Sequence, residues 1–215
     1  MVGMGPETLR RWLLGYDHKD KSANVKHEPA LWMPQYDPNE AEGVLLGFRD
    51  LIEARIVHAL RQRRIGLQTI RICMDRAREI VGQDHPFSTS QFKTEGKRIF
   101  LKITSDLDEP QLIDLKHKQG VFNLVVEPSL ADLDFGPDGA ERWWLLSGKK
   151  TIVADPVRSF GQPTVAGHSI TTARLAQAVR AEGSIDRVAR IYEIKPRLVR
   201  DALEYERQIG LRKAA

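Results

Sequence analysis

The dipeptide Gly183-Ser184 constrains this chain more than any other feature. Glycine ends helices cheaply because it takes the left-handed conformation, and serine begins them by accepting an orphan backbone N–H. One helix is therefore expected to stop at Gly183 and another to start after Ser184. Asp186 falls in the new helix's first turn, where the helix dipole favours an anion. Ile185, Val188, Ala189 and Tyr192 recur at i, i+3, i+4 and i+7, one face of a helix. Lys195-Pro196 then restarts the chain, since proline suits the first helical position, and Leu198, Val199, Ala202, Tyr205 and Ile209 form the next apolar stripe. The small Ala189 permits close approach, and Ile194 and Val199 sit where a helix-turn-helix needs apolar wedges. Many such motifs have glycine at the turn; here it is Glu193.

The outward positions of the last helix are Lys195, Arg197, Arg200 and Asp201, with Arg187 and Arg190 on the helix before it. A groove-docked helix presents such residues to phosphates and base edges. A solvated basic face on a packing module fits the same pattern, and both readings stand at this point.

The stretch Gly161-Gln162-Pro163-Thr164-Val165-Ala166-Gly167-His168-Ser169-Ile170 followed by the helix pair resembles the small helix-turn-helix antitoxins of bacteria, whose pattern there is G-x-P-x-[IV]-x-G-T-R-I-P. Longer members are called VapB-like antitoxins. This chain has His168-Ser169 where the family has Thr-Arg, so a role carried by that Arg does not transfer. The resemblance implies a partner, a PIN-domain ribonuclease toxin with an acidic, metal-dependent pocket, and a second ligand, operator DNA. Such a pocket can be blocked by an inserted cation that competes for its carboxylates. Arg207, Arg212 and Lys213 are the candidates by charge and terminal position.

At the other end, residues 5–16 read as a short helix closed near Gly15, with Leu9, Trp12 and Leu13 apolar and Thr8, Arg10 and Arg11 outward. Its Thr8-Leu9-Arg10-Arg11-Trp12 is similar to the T-L-R-x-W recognition helix of MerR-like winged-helix proteins. Residues 17–43 would then be the wing, and the helices expected at 48–63 and 67–81 resemble the second helical pair of that domain. Only Met1 to Met4 precede the first helix, so the expectation is a unit lacking its bracing helix. Arginines 55, 61, 63, 64, 71, 76 and 78 are expected to point outward from the helical pair, as a basic surface or a solubilising face. His18 and His27 read as loop histidines.

Residues 91–103 read as a β-hairpin, with Phe92, Ile99, Leu101 and Ile103 alternating with Lys93, Arg98 and Lys102 around a turn at Thr94-Glu95-Gly96-Lys97. Thr104 to Pro110 reads as an acidic connector, 111–126 as a short helix or strand ending in a buried run, and 128–135 as a short helix. A further hairpin is expected over 142–153. The expected organisation is a MerR-like winged domain over 1–105, a connecting segment with a hairpin over 106–150, and a helix-turn-helix antitoxin-like domain over 151–215. The fold class is mainly α with small β-hairpins (α+β), with two helix-turn-helix-like units, the second a three-helix, homeodomain-like one.

Composition narrows the function classes. A net charge of +4 permits nucleic acid without demanding it. The one cysteine, Cys73, excludes an internal disulfide and is expected on a buried helix face. No apolar run approaches the roughly 20 residues of a membrane helix, and no signal-peptide core precedes the first helix, so the expected location is the cytoplasm. No Gly-x-Ser-x-Gly, Cys/His pair or metal-spaced histidine cluster is present, and Gly148-Lys149-Lys150-Thr151 lacks the earlier glycine of a phosphate loop. The expectation is a protein that is not an enzyme and uses no metal or cofactor. It would be an antitoxin bound to a PIN-domain toxin and to operator DNA as a homodimer, the alternative being a stand-alone transcription regulator.

Overall fold

The computed structural model describes residues 3–19, 22–38, 45–105 and 122–214. The chain is α+β and divides into two compact units, one of residues 2–131 with 137–140, the other of 132–136 with 141–215. The acidic stretch after Ser105 and most of the 111–126 segment lie outside the described residues.

The first unit opens with helix α1 (Pro6–Leu14), which ends at Gly15. A side chain at Gly15 would meet the Glu28 carbonyl oxygen at 2.5 Å, and its φ of +74° is left-handed, so only glycine fits. Strands β1 (Tyr16–Lys19) and β2 (Val25–Glu28) form a two-stranded antiparallel ribbon in the expected wing segment. Helices α2 (Phe48–Gln62) and α3 (Leu67–Val81) follow within one residue of their expected bounds. They bury Ile52, Ile56, Val57, Leu60, Ile70, Met74 and Cys73. Burial pushes the Cys73 thiol up to about 12, the behaviour of a small hydrophobe.

The expected hairpin at 91–103 is instead helix α4 (Ser90–Ser105). The period decides the matter. Phe92, Gly96 and Ile99 are all buried, a spacing of i, i+4 and i+7. Thr89 Oγ1 accepts the Phe92 N–H at 3.1 Å, the hydrogen bond of an N-cap. Gly96 is a close-packed position on a helix, not the corner of a hairpin. A five-residue π-turn (Phe122–Val126) leads into the short helix α5 (Glu127–Ala131), shorter than the 128–135 expected because residues from Leu133 onward turn into a strand.

Two buried carboxylates tie the first unit together, and no local sequence pattern announces them. Asp50 is fully buried. Its Oδ1 accepts the Trp32 indole N–H at 2.9 Å and lies 2.9 Å from His85 Nε2; its Oδ2 accepts the Gly47 N–H at 2.8 Å and the Gln35 N–H at 3.2 Å. One side chain thereby joins the segment after the ribbon, the start of α2 and the turn after α3. Glu53, one turn further on, accepts the Ser88 N–H at 3.0 Å, and desolvation raises its carboxyl well above the ordinary range.

The second unit is a four-stranded antiparallel sheet in the order β3-β4-β5-β6 under three helices. Strands β3 (Leu133–Gly136), β4 (Gly139–Leu146) and β5 (Lys149–Ala154) are a meander, and β5 pairs with the short β6 (Thr164–Val165) through Ile152↔Val165 and Val153↔Thr164. Helices α6 (Thr172–Glu182), α7 (Ile185–Ile191) and α8 (Pro196–Ala214) complete it. Their core is continuous with the sheet: Leu146, Ile152 and Val165 pack with Leu175, Val188, Ala189, Ile194, Val199, Ala202 and Tyr205. Each buried Leu, Ile or Val here contributes about 1.5–3 kcal/mol.

Candidate nucleic-acid interface

The α6–α8 helices follow the caps expected of them. Gly183 is left-handed at φ +67° and returns its N–H to the Val179 carbonyl; Ser184 accepts the Arg187 N–H. The α7–α8 turn is a Schellman closure. The Glu193 N–H donates to the Arg190 carbonyl at 3.3 Å and the Ile194 N–H to the Ala189 carbonyl at 3.0 Å. Glu193 takes the left-handed position, φ +54°, that glycine holds in many relatives of the motif. For a residue with a side chain that costs about 1–2 kcal/mol. Ile194 follows it into the core at 7% exposure, which offsets the strain and fixes the direction in which α8 leaves the turn.

Helix α8 is clamped to the hairpin. Lys149, the first residue of β5, donates to Glu204 at 2.7 Å and to Asp201 at 3.1 Å. These hydrogen bonds, Glu204's first, raise the lysine's pKa and hold it charged. Helical periodicity puts Asp201 on the outward face, but it is buried at 5% exposure. A buried carboxylate needs a cation, and Lys149 from another element supplies it, a pairing that periodicity alone does not reveal. The Thr172 hydroxyl donates to Glu206 on the same helix.

The remaining candidates are placed as follows. Lys195, Arg197 and Arg200 are exposed around the start of α8. Arg197 sits at the long distance of 3.8 Å from Asp201, while Lys195 and Arg200 have no ion-pair partner among the described residues. On α7, Arg187 pairs with Glu182 at 2.8 Å, and Arg190 is exposed without such a partner among the described residues. Thr8, Arg10 and Arg11 are exposed on α1 in the other unit; Arg11 pairs with Glu7 at 3.5 Å and lies over the Tyr16 ring. Arg207 is exposed near the far end of α8; Arg212 and Lys213 belong to its last turns, and their side chains lie outside the described residues.

The basic surface expected on α2 and α3 is only partly outward. Arg71 donates to the Ala30 carbonyl at 2.9 Å and Arg78 to the Leu31 carbonyl at 3.3 Å. Both clip the segment after the ribbon onto α3. Arg76 pairs with Glu79 at 2.8 Å at the surface.

One feature beside α8 has no signature in the sequence. An open groove of about 590 Å³ lies between β5, the turn after β6 and the start of α8, lined by Lys150, Thr151, His168, Glu193, Lys195 and Arg197 among others. His168 and Lys150 are 18 positions apart, and nothing local joins them. Among the described residues no group of three or more His, Cys, Asp or Glu is placed to hold a metal ion, and no helix is long and apolar enough to cross a membrane.

The family model described as "Protein of unknown function (DUF433)" matches residues 152–205, from β5 into the middle of α8. Over 209 residues the chain is 28% identical to "Putative antitoxin VapB45" of Mycobacterium tuberculosis (strain ATCC 25618 / H37Rv), a match that spans 92% of this chain and 86% of that protein. The X-ray crystal structure of Rv2018 from Mycobacterium tuberculosis superposes with a TM-score of 0.72 at 24% identity, covering 94% of this chain and 92% of that one, so the fold is shared along nearly the whole length. The chain is thus similar in sequence to a protein named as a putative antitoxin, and α6, α7 and the first half of α8 lie inside the DUF433 match.

Proposed function

We propose that this protein is a cytoplasmic antitoxin that binds and inhibits a cognate PIN-domain ribonuclease toxin, binds operator DNA as a homodimer, and performs no catalysis itself. The observation that carries the DNA half is the state of the cations on α8. Lys195 and Arg200 have no ion-pair partner among the described residues, and Arg197 is held loosely. Cations already committed to internal carboxylates are poor phosphate ligands; these are available. The likeness to a protein named as an antitoxin supports the toxin half.

A single helix-turn-helix with free cations per chain gives a small footprint, so the operator is expected to carry two half-sites related by two-fold symmetry. Lys195, Arg197 and Arg200 bear most of the binding, assisted by Arg190 and, on release of its surface pair with Glu182, Arg187; Thr8, Arg10 and Arg11 form a second, smaller patch, with Arg11 shared with Glu7. Changing Lys195, Arg197 and Arg200 together to Gln is expected to lower the log–log salt slope of DNA binding by roughly 2.7, about 0.9 for each phosphate no longer neutralised. An unchanged slope and affinity would remove α8 from the DNA. For the toxin, the test is co-expression with the adjacent reading frame's product. Arg207, Arg212 and Lys213 changed to Ala should release the toxin's growth inhibition; continued neutralisation would move the grip elsewhere.

A further inference from the structure

We infer that the groove between β5, the turn after β6 and the start of α8 is a phosphodiester-binding site that extends the DNA surface beyond the helix-turn-helix, with Lys150 and His168 as its added ligands. This inference rests on the DNA-binding reading of α8.

Charge is the first ground. The groove gathers Lys150, Lys195 and Arg197, three cations, against one carboxylate, Glu193. Arg197 has only the 3.8 Å approach to Asp201, and Lys195 has no ion-pair partner among the described residues. Lys150 is exposed; its 3.4 Å approach to Asp134 is at the outer limit of hydrogen bonding, and its ammonium lies 5.4 Å from the centre of the Trp144 ring. A flat aromatic support with a weak ion pair leaves such an ammonium free to turn toward an anion.

Rigidity is the second ground. The His168 N–H donates to the Val165 carbonyl at 3.0 Å across Gly167, whose φ is +78°, the glycine-requiring position of a type II turn. The Ala166 N–H donates to the Thr151 carbonyl at 2.9 Å, which braces the turn against β5. His168 is therefore held over the groove by a fixed turn, and an imidazole has an N–H to donate in either protonation state.

The chemistry required is that of an anionic phosphate group: Lys150, His168, Lys195 and Arg197, from β5, the turn after β6 and the start of α8, line one groove. A backbone phosphodiester and free inorganic phosphate both offer it. The position beside Lys195 and Arg197 favours the backbone of the same duplex that α8 would engage.

The test uses the full chain and a labelled random-sequence DNA duplex, with anisotropy read between about 50 and 200 mM salt. Lys150→Gln is expected to lower the salt slope by roughly 0.9, and His168→Gln to weaken binding several-fold with a smaller change in slope. Asp134→Asn removes the carboxylate beside Lys150 and is expected to bind at least as tightly as the parent. Weaker binding by Asp134→Asn would mean that the Lys150 effect came from a damaged hairpin, and would overturn the site. So would parental slopes in both Lys150→Gln and His168→Gln alongside abolished binding in the Lys195, Arg197 and Arg200 triple variant; in that case α8 still reads DNA without the groove. Parental binding by the triple variant would sink the DNA reading itself, and this site with it. Finally, inorganic phosphate should shift the His168 imidazole resonances only weakly compared with the duplex; equal saturation by both would assign the groove to free phosphate.

Discussion

Two helix-turn-helix corners in this chain share their turn hydrogen bonds and differ in what their cations hold. In the α2–α3 corner the Arg64 N–H reaches the Arg61 carbonyl and the Ile65 N–H reaches the Leu60 carbonyl; in the α7–α8 corner Glu193 and Ile194 make the equivalent bonds to Arg190 and Ala189. Each corner puts a residue with a side chain in the left-handed position, Arg64 at φ +61° and Glu193 at φ +54°, and each buries the isoleucine that follows. The difference lies in what the second helix does with its cations. Arg71 and Arg78 of α3 hold the carbonyls of Ala30 and Leu31, whereas Lys195, Arg197 and Arg200 of α8 remain in solvent. Both helices are rich in basic residues, so composition alone would rate them alike. The lesson is that a cation's partner, not its presence, decides whether it is free to meet an outside anion or is spent on holding the fold.

The largest effect is expected from removing the buried carboxylate that ties together the unit containing the α2–α3 corner. Asp50→Ala strands the Trp32 indole, two backbone N–H groups and His85 in the core. It should cost about 3 kcal/mol, since hydrogen bonds to a charged group contribute roughly 1.5–3 kcal/mol each and their removal leaves desolvated partners behind. Thermal melting checks it. Arg71→Ala with Arg78→Ala should cost about 2 kcal/mol and leave the DNA salt slope as it was. The triple change on α8 should do the reverse, lowering the slope with little effect on melting. If the α3 pair moved the slope, the distinction between the two corners would fail.

Smaller effects sharpen it. Glu193→Gly and Arg64→Gly should each stabilise by about 1 kcal/mol through relief of left-handed strain, equally at both corners if the backbones are truly alike. Glu53→Gln bears on pH. Burial raises the Glu53 pKa in the folded protein, so folding favours its protonated form. That contribution is present below the unfolded pKa and disappears as pH rises through the folded one. The variant should therefore melt higher than the parent near neutral pH, and the gap should close on acidification. The smallest change is Arg76→Ala, an exposed pair with Glu79, at about 0.5 kcal/mol or less.

Local signals carried much of the fold. Gly183-Ser184, Gly15 and the 3.6-residue stripes on α2, α3 and α8 mark their elements because each acts within a few residues of itself. Residues 91–103 mislead for a related reason: Phe92 and Ile99 fit alternation as well as helical spacing, and Gly96 looks like a turn until its neighbours close over it. Asp50, Glu53 and Asp201 are illegible as buried groups because, apart from Gly47 beside Asp50 and Arg197 beside Asp201, their partners come from 15 to 52 positions away. The candidate site divides in the same way. The cations of α8 follow from its helical face, while Lys150 and His168 meet only through the pairing of β5 with β6.

Helix α8 runs for 19 residues, about 28 Å. The proposed DNA-binding cations lie just before and within its first two turns, and the proposed toxin-binding ones lie in its second half, from Arg207 to Lys213. At physiological ionic strength charges are screened over about 8 Å, so Arg197 does not sense Arg212, about 22 Å away along the helix, through space. Any communication between operator and toxin along this route must be mechanical: a tilt of the whole rod against the Lys149 clamp, or a change in how two copies are held together. An antitoxin built this way would sense its partner by leverage.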